Sequence, residues 1–246
     1  MEKVPVIEIV KLNKSFGNNH VLRDFSMSLY EGENLVVLGK SGSGKSVLIK
    51  CIIGLLEPDS GSIRVFGEDI GQYDQVELDK MRVKVGFLFQ SNALYDSMTV
   101  RENLEFPLRR HRMKGKHEQG TVDEMVIEAL TNVGLAHTID MMPAELSGGM
   151  RKRIALARTL ILRPQIILYD EPTTGLDPIT GREISELILE VQDKYKAASM
   201  IISHDLNCIR IASNRVAMLI AGKCYVDAPY EKLEHSDDPV VMEYFE

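Results

Sequence analysis

One stretch of eight residues constrains the fold of this chain more than any other: residues 39–46, which read GKSGSGKS. An apolar run at residues 35–38 precedes it, and another at residues 47–53 follows it. This order predicts a buried strand, a glycine-rich turn and then a helix, which is the context in which GxxxxGK[ST] indicates a phosphate-binding loop. A glycine-rich turn that binds nothing is the weaker interpretation, because strand and helix both stand where the motif requires them.

The residue types in this turn explain the prediction. Glycine permits backbone angles and a close approach that a side chain would block, and the turn contains Gly39, Gly42 and Gly44. Successive backbone N–H groups then point into one concavity at the positive end of the following helix. We expect Lys45 to reach the β- and γ-phosphates of a nucleotide there, and the Ser46 hydroxyl to complete a magnesium shell.

Bulk composition argues against several classes of function. A net charge of −7 leaves no excess of cations to neutralise the phosphates of a nucleic acid. Three scattered cysteines without a CxxC pair indicate a reducing compartment rather than a zinc site or a disulfide framework. The amino terminus lacks the apolar segment of a secretory signal, and no run of about 18 apolar residues predicts a membrane span. We therefore expect a cytosolic protein, or one held at a membrane by a partner.

Strand-like and helix-like segments alternate behind the loop. Continuous apolar runs predict buried strands of a parallel sheet at residues 85–89, 166–169 and 198–202. From residue 90 to about residue 159 the apolar spacing becomes helical, as in the stripe at residues 122–133. The pattern predicts a three-layer α/β core with an inserted helical subdomain. We expect a single domain, with its core at residues 1–90 and 160–246 and the helical subdomain at about 91–159.

Polar side chains stand at the ends of the predicted strands, where α/β sheets bind ligands. Asp170 would hold magnesium, directly or through water, and Glu171 would orient and deprotonate an attacking water. Gln90 would sense both the metal and the γ-phosphate, and His204 would donate a hydrogen bond to that phosphate. Each residue alone has an ordinary structural explanation, such as a salt bridge, but the set together with the loop favours an active site.

A second glycine-containing anion site follows at residues 146–150, which read LSGGM and precede a helix predicted at residues 151–162. Ser147, Gly148 and Gly149 would bind a phosphate at the start of that helix. One nucleotide does not need two such sites from one chain. We therefore expect a two-fold homodimer in which the LSGGM segment of each chain covers the nucleotide held by the other.

These motifs together resemble those of the ATP-binding cassette (ABC) transporter ATPases, over nearly the whole chain. The resemblance implies ATP and Mg²⁺ as ligands, a P-loop ABC ATPase fold with a parallel core sheet, an antiparallel β subdomain and an inserted α-helical subdomain. It also implies that Phe16 stacks on adenine, although its spacing alone favours ordinary packing, and that Asp177 touches the opposite subunit. The nucleotide would further contact Ser41, Ser43 and Val47 within and just after the glycine-rich loop.

A narrower resemblance points to the ATPases of Mla/Mce-type phospholipid transporters. It rests on the segment at residues 87–109, on Met150 in LSGGM and on TTGLDPIT at residues 173–180. It implies two partners, an integral membrane permease and an MCE-domain lipid-binding protein. It also implies a position on the cytoplasmic face of the inner membrane. Met150 departs from the glutamine usual in ABC ATPases, so the resemblance does not carry over a ribose contact from this side chain.

Two exposed features suggest contacts with other molecules. The apolar segment after Gln90 predicts a permease-docking surface, formed by Ala93, Leu94, Tyr95, Met98 and Val100, unless it packs on the helical subdomain. A basic run at residues 109–116 could contact anionic headgroups or an acidic partner, but a solvated loop is the simpler interpretation. The tail at residues 225–246 could pack on a neighbour or on its own core.

Two alternative functions follow from the same motifs. A transporter ATPase for another cargo, such as released lipoproteins or a small solute, differs only by the subfamily resemblance. A soluble ABC ATPase in DNA repair or translation is disfavoured, because the chain has no long coiled-coil insertion, no second cassette and no cationic excess.

Overall fold

Ten β-strands and nine α-helices occupy residues 4–112 and 121–245, the part of the chain that the computed structural model describes; for residues 111 and 112 it describes the backbone alone. The strands are β1 Pro5–Phe16, β2 Asn19–Tyr30, β3 Asn34–Leu38, β4 Ser60–Val65, β5 Glu68–Asp69, β6 Val85–Leu88, β7 Ile166–Asp170, β8 Ala198–Ser203, β9 Arg215–Ile220 and β10 Lys223–Ala228. The helices are α1 Lys45–Ile52, α2 Gln75–Lys84, α3 Val100–Arg112, α4 Val122–Asn132, α5 Gly148–Leu160, α6 Pro178–Tyr195, α7 Leu206–Ala212, α8 Tyr230–Glu234 and α9 Pro239–Met242.

The central sheet has six strands in the order β10-β9-β3-β8-β7-β6. The five strands from β9 to β6 are parallel, and β10 pairs antiparallel with β9 at one edge. Every residue of β3, β7 and β8 is buried, because helices or the second sheet cover both faces. Because the strands are parallel, β3, β6, β7 and β8 all end at the same edge of the sheet.

A second, antiparallel sheet has four strands in the order β2-β1-β4-β5. Its inward side chains, among them Ile7, Ile9, Leu12 and Phe25, form one core cluster with residues of β3 and α1. The two sheets also touch through their backbones, since the Arg23 N–H donates to the Gly222 carbonyl at 2.8 Å. This contact brings the β1–β2 hairpin close to the glycine-rich loop.

The helices α3, α4 and α5 form most of the region between β6 and β7. The predicted stripe on α4 is confirmed: Met125, Val126, Ala129 and Leu130 are buried against α3 and α5. The predicted fold class, with its parallel core sheet, antiparallel sheet and inserted helices, is therefore confirmed. The exact boundaries of the helical subdomain stay a prediction.

Helix α5 begins three residues earlier than predicted. Its first residue is Gly148, because the Ser147 hydroxyl accepts the Met150 N–H at 3.2 Å and so caps the helix. The helix ends at Leu160 rather than at residue 162. The two LSGGM glycines therefore form the first turn of α5, where backbone N–H groups are free of intrahelical partners.

The two features left open at the sequence level have partial answers. Arg109 and Arg110 form ion pairs with Glu105 and Asp79, while residues 113–116 of the basic run lie outside the described residues. In the tail, β10, α8 and α9 pack on the chain's own core, and the Tyr230 and Phe245 rings meet edge to face. No helix in the described ranges is long and apolar enough to cross a membrane.

Candidate functional site

The glycine-rich loop joins β3 to α1 as predicted, and its glycines have conformations or contacts that demand them. Gly42 and Gly44 have φ angles of 78° and 106°, a region that residues with side chains rarely adopt. A Cβ on Gly39 would lie 2.8 Å from the backbone carbonyl oxygen of Leu219. The loop is thus held against β9, and α1 begins directly behind it.

Lys45 carries the positive charge of this loop. Its Nζ donates to the backbone carbonyls of Gly39 at 2.7 Å and Lys40 at 3.2 Å, and lies 3.5 Å from Glu171 Oε1. The side chain is almost completely buried. The Lys45 ammonium can therefore exchange its hydrogen bonds to these carbonyls for bonds to phosphate oxygens without a large movement of α1.

The predicted metal ligands Ser46 and Asp170 are neighbours. The Ser46 hydroxyl donates to Asp170 Oδ1 at 3.3 Å across the ends of α1 and β7. Burial raises the pKa of Asp170, and the Ser46 hydrogen bond opposes that rise. Since a buried carboxylate is costly without a cation, this pair fits a divalent metal.

Magnesium needs more oxygen ligands than Ser46 and Asp170 supply. Across the described ranges, no group of three or more His, Cys, Asp and Glu side chains is arranged to hold a metal. Mg²⁺ is commonly bound by one or two protein groups with waters and substrate phosphates, so the site fits a metal that arrives with a nucleotide.

Glu171 is held by several neighbours at this edge. Its Oε2 lies 2.8 Å from His204 Nδ1 and accepts the Thr174 hydroxyl at 3.2 Å. Its backbone has a φ of 51°, a left-handed conformation that costs a non-glycine residue roughly 1–3 kcal/mol. The residue is 8% exposed, so its carboxylate is largely shielded from solvent. His204, predicted to bond a γ-phosphate, bonds Glu171 in this structure.

Gln90 lies two residues beyond the end of β6, at the same sheet edge. Its side chain is exposed, and its backbone carbonyl accepts a hydrogen bond from Lys152 Nζ at 2.9 Å. The structure thus places Gln90 beside the strand that carries Asp170, without a side-chain hydrogen bond from it to Ser46 or Asp170 within the described residues.

The remaining predicted residues are separate from this cluster. Ser147, Gly148 and Gly149 start α5, and no hydrogen bond or ion pair in the described ranges joins them to the glycine-rich loop. Phe16 ends β1 and is half exposed, with Lys14 Nζ 5.7 Å from its ring centre. Its hairpin touches the loop through Val21, whose Cγ1 would lie 2.7 Å from a Cβ on Gly44.

Asp177 and the rest of the loop complete the set of predicted residues. Asp177 caps α6, accepting the N–H groups of Ile179 and Thr180 and the Thr180 hydroxyl, and these bonds lower its pKa. Ser41 is exposed in the loop, while Ser43 and Val47 are half-buried. The Ser43 hydroxyl is buried without a hydrogen-bond partner in the described structure.

Sequence reasoning missed four polar residues near the site: Lys152, Thr173, Thr174 and Asp205. Lys152 is buried behind Gln90, and Thr173 donates to Asp205 at 2.9 Å in the loop that holds Glu171. A lysine within the apolar stripe of α5 was a usable signal for the first, because a charged residue inside a buried face needs a partner. No local pattern marks the other three.

A groove of about 640 Å³ lies beside β6, between α2, α3 and α5. The aromatic rings of Phe89, Tyr95 and Phe106 line it, together with Asp79, Arg110 and Arg158. Tyr95 and Ala93 are exposed there as the docking prediction requires, while Leu94 and Met98 are half-buried. The prediction is wrong for Val100, which is completely buried because it begins α3 with its side chain in the core.

Comparisons with known proteins identify the relatives of this chain. Residues 22–174 match the family described as "ABC transporter". The "probable ribonucleotide transport ATP-binding protein mkl" of Mycobacterium tuberculosis is 42% identical over 97% of this chain and 66% of its own length. The chain thus spans just under two thirds of that relative.

Two further relatives and two solved structures are similar over most of the chain. "Protein TRIGALACTOSYLDIACYLGLYCEROL 3, chloroplastic" of Arabidopsis thaliana is 36% identical over 97% of this chain and 73% of its own length. "Methionine import ATP-binding protein MetN" of Clostridium tetani is 36% identical over 89% and 67%. The structure of cbiO1 from Clostridium perfringens, part of the ABC transporter complex cbiONQ, has a TM-score of 0.84 at 28% identity, covering 98% of this chain and 94% of its own. The dimeric structure of MJ0796, a bacterial ABC transporter cassette, has a TM-score of 0.82 at 30% identity, covering 91% and 98%.

Proposed function

The chain belongs to the ABC transporter family, and from this premise we propose that it is the ATP-hydrolysing subunit of a membrane transporter. The observation that carries the proposal is the convergence of Lys45, Asp170, Glu171 and His204 at one sheet edge, in contact with the glycine-rich loop. A nucleotide-binding loop alone indicates binding. A shielded carboxylate held beside it indicates hydrolysis.

Each residue of this cluster has a role in phosphoryl transfer. The loop N–H groups and Lys45 would bind the phosphates of ATP, and Ser46 and Asp170 would hold Mg²⁺, which would supply charge neutralisation. Glu171 accepts a proton from the attacking water, and His204 and Thr174 fix the direction of its carboxylate. Gln90 changes position when the metal and the γ-phosphate bind, and this change is transmitted to the groove beside it.

We propose a homodimer as the active form. Its support is the separation of LSGGM from the loop within the described chain, together with the dimeric state of MJ0796. In such a dimer Ser147, Gly148 and Gly149 bind the nucleotide of the partner, Asp177 links the two sites, and Phe16 stacks on adenine.

The groove beside β6 is proposed as the docking site of a permease segment. Its aromatic floor suits an apolar helix face, and its rim offers both signs of charge in Asp79, Arg110 and Arg158. cbiO1 is described as part of a transporter complex, which supports a permease partner. We therefore place the chain on the cytoplasmic face of the inner membrane, bound peripherally through that permease.

Tyr95→Asp should weaken this docking, because it places a carboxylate on the aromatic floor where Tyr95 and Phe106 meet at 4.9 Å between ring centres. We expect loss of transport and of permease-stimulated hydrolysis, with ATP affinity unchanged. Ile127→Asp is the matched control, since Ile127 has a similar exposure but lies on α4 outside the groove. Normal transport by the Tyr95 variant with the permease bound would remove the groove from this role.

For the cargo, we propose phospholipid, moved by a permease that works with an MCE-domain lipid-binding protein. Support comes from the subfamily resemblance and from the Arabidopsis relative, whose name is that of a galactolipid. The names of other relatives, for ribonucleotide transport and methionine import, favour a different cargo on the same machinery.

A pull-down of this chain from its native membrane in mild detergent, followed by mass spectrometry, tests the proposal. A multi-span permease with an MCE-domain protein and phospholipid is the expected result. A permease with another companion would keep the mechanism and change the cargo to lipoprotein or a solute. Recovery in the soluble fraction with nucleic acid or ribosomes would instead support a role in repair or translation.

A further inference from the structure

Lys152 is a buried ammonium that the proposed reaction does not use. It lies in the second turn of α5, is 2% exposed, and its Nζ donates to the backbone carbonyl of Gln90 at 2.9 Å. No ion pair joins it to a carboxylate in the described ranges; the charge of Asp170 supports it from a distance while burial lowers its pKa to about 8. Burying a cation without a paired anion is costly, so its retention calls for a reason beyond packing.

The carbonyl that Lys152 holds belongs to a loop with an unusual backbone. Asn92 and Ala93 have φ angles of 65° and 53°, and their carbonyls accept from Arg158 at 3.0 and 2.7 Å. Two cations of one helix therefore fix the segment that follows β6. Arg158 holds the part that enters the docking groove, and Lys152 holds the part beside the metal ligands.

We propose that Lys152 is a positioning residue for Gln90: its hydrogen bond to the Gln90 carbonyl sets where that side chain stands relative to Ser46 and Asp170. The inference rests on the proposed function, since a position for Gln90 matters only if metal and nucleotide bind there. It adds a direct link from α5, whose first turn is the LSGGM segment, to the metal edge of the same chain.

The simpler explanation is that Lys152 only donates a hydrogen bond to a buried carbonyl and thereby stabilises the fold. The two explanations differ because the hydrogen bond is made to the backbone of Gln90 and not to its side chain. Gln90→Ala keeps the bond but removes the group to be positioned. If Lys152 acts through Gln90, its substitution in that background has nothing left to change.

The test compares Lys152→Met, Gln90→Ala and the double variant of the full chain. Affinity for a fluorescent non-hydrolysable ATP analogue is measured with and without Mg²⁺, and kcat and KM for ATP are measured beside it. We expect Lys152→Met to keep the metal-free affinity but to lower kcat and the Mg²⁺-dependent gain in affinity about tenfold. In the Gln90→Ala background the further loss should be under about twofold.

Two more variants serve as controls. Arg153→Met removes the next cation of α5, whose contacts are the Val133 carbonyl and Glu183, and should behave like the unaltered chain. Lys152→Gln keeps an N–H donor without the charge and should recover much of the loss, and it carries the comparison if Lys152→Met fails to fold. Thermal unfolding of every variant separates loss of stability from loss of positioning.

Three results would overturn the inference. If Lys152→Met lowers kcat equally in the unaltered and the Gln90→Ala backgrounds, its role is structural. If it leaves kcat and the Mg²⁺ dependence of affinity unchanged, Lys152 has no role at the site. With either of these two results, the proposed function still stands as long as the unaltered chain hydrolyses ATP. An unaltered chain that binds no ATP analogue would instead sink the proposed function, and this inference with it.

Discussion

At the scale of single residues, Glu171 combines three features that rarely occur together: a left-handed backbone, burial, and contacts from three different segments. Lys45 comes from the loop, Thr174 from the segment after β7, and His204 from the end of β8. Strain of this kind persists only where the surroundings determine it, and it is concentrated at functional sites. The carboxylate is therefore oriented before any ligand binds.

Glu171→Gln tests the assignment of this residue as the base. The amide keeps the size of the side chain and can still bond His204, but it cannot accept the proton of the attacking water. We expect kcat to fall by about 10²–10⁴-fold with ATP affinity retained, measured by phosphate release and by nucleotide titration. Lys45→Ala is the contrasting variant, because it should weaken ATP binding itself. Near-normal turnover in the glutamine variant would remove Glu171 from this role.

The buried cysteines predict a dependence of stability on pH. Burial raises the pKa of the Cys51 and Cys208 thiols from 9.0 to about 11. Between pH 9 and 11 the unfolded chain loses these protons while the folded chain keeps them, so the free energy of unfolding falls as pH rises. The loss should reach about 1 kcal/mol per cysteine at pH 10.

Urea unfolding at pH 8 and pH 10 measures this effect. The double variant Cys51→Ala, Cys208→Ala should lose less stability over that interval than the unaltered chain, because all other titrating groups are shared. Equal losses in the two proteins would contradict the burial argument.

The sequence was sufficient to locate the residues whose position depends on local order, while their roles stay predictions. The loop, Asp170, Glu171 and His204 all stand at strand ends that apolar runs reveal. It was not sufficient for Lys152, whose partner is a carbonyl 62 positions away in the chain. It also misplaced Val100 at the surface, because an apolar residue at a helix start can face either way until the helix is docked.

At the scale of elements, the first turn of α5 depends on its fit against α6. A Cβ on Gly149 would lie 2.5 Å from Thr180 Cγ2, whereas one on Gly148 would meet its nearest atom, in Leu176, at 3.7 Å. Thr180 is stiff because its Oγ1 is bonded to Asp177 at 2.6 Å. The start of the LSGGM helix is therefore fixed by the same residues that cap α6.

Gly149→Ala should consequently destabilise the chain by about 1–2 kcal/mol, since overpacking outweighs the better helix propensity of alanine. Thr180→Ser removes the clashing methyl and keeps the hydroxyl, so the double variant should recover most of the loss. Denaturant unfolding of these variants measures both effects. Gly148→Ala is the matched control, and an equal cost for it would show that the contact with Thr180 is not the cause.

Element types followed from the sequence better than element ends. Continuous apolar runs located β3, β7 and β8, because strands buried on both faces leave no polar alternation to misread. The start of α5 was placed three residues late, since two glycines are poor helix formers and only the Ser147 cap reveals the true beginning. The β9–β10 pair was not predicted, although its turn supplies the carbonyl that joins the two sheets.

At the scale of the whole molecule, the two proposed parts of the nucleotide site, the glycine-rich loop and the LSGGM segment, are not joined by a hydrogen bond in the described ranges. The glycine-rich loop joins β3 to α1, whereas the LSGGM segment leads into α5. A two-fold dimer would join each loop to the LSGGM segment of the partner. The alternative is that a large rotation of the helical region closes the site within one chain.

Mixing two inactive variants separates these alternatives. Lys45→Ala disables the loop, and Gly148→Asp places a carboxylate in LSGGM where the structure has room for a side chain. In a dimer of one chain of each kind, one site carries both defects and the other carries none.

Equal mixing should therefore restore about a quarter of the normal ATPase activity, since half of the dimers are mixed and each has one intact site. Phosphate release measures the recovery, with each variant alone as the control. A mixture that forms mixed dimers, shown by energy transfer between labelled chains, yet stays inactive would favour closure within one chain, because each chain would then carry an incomplete site whatever its partner.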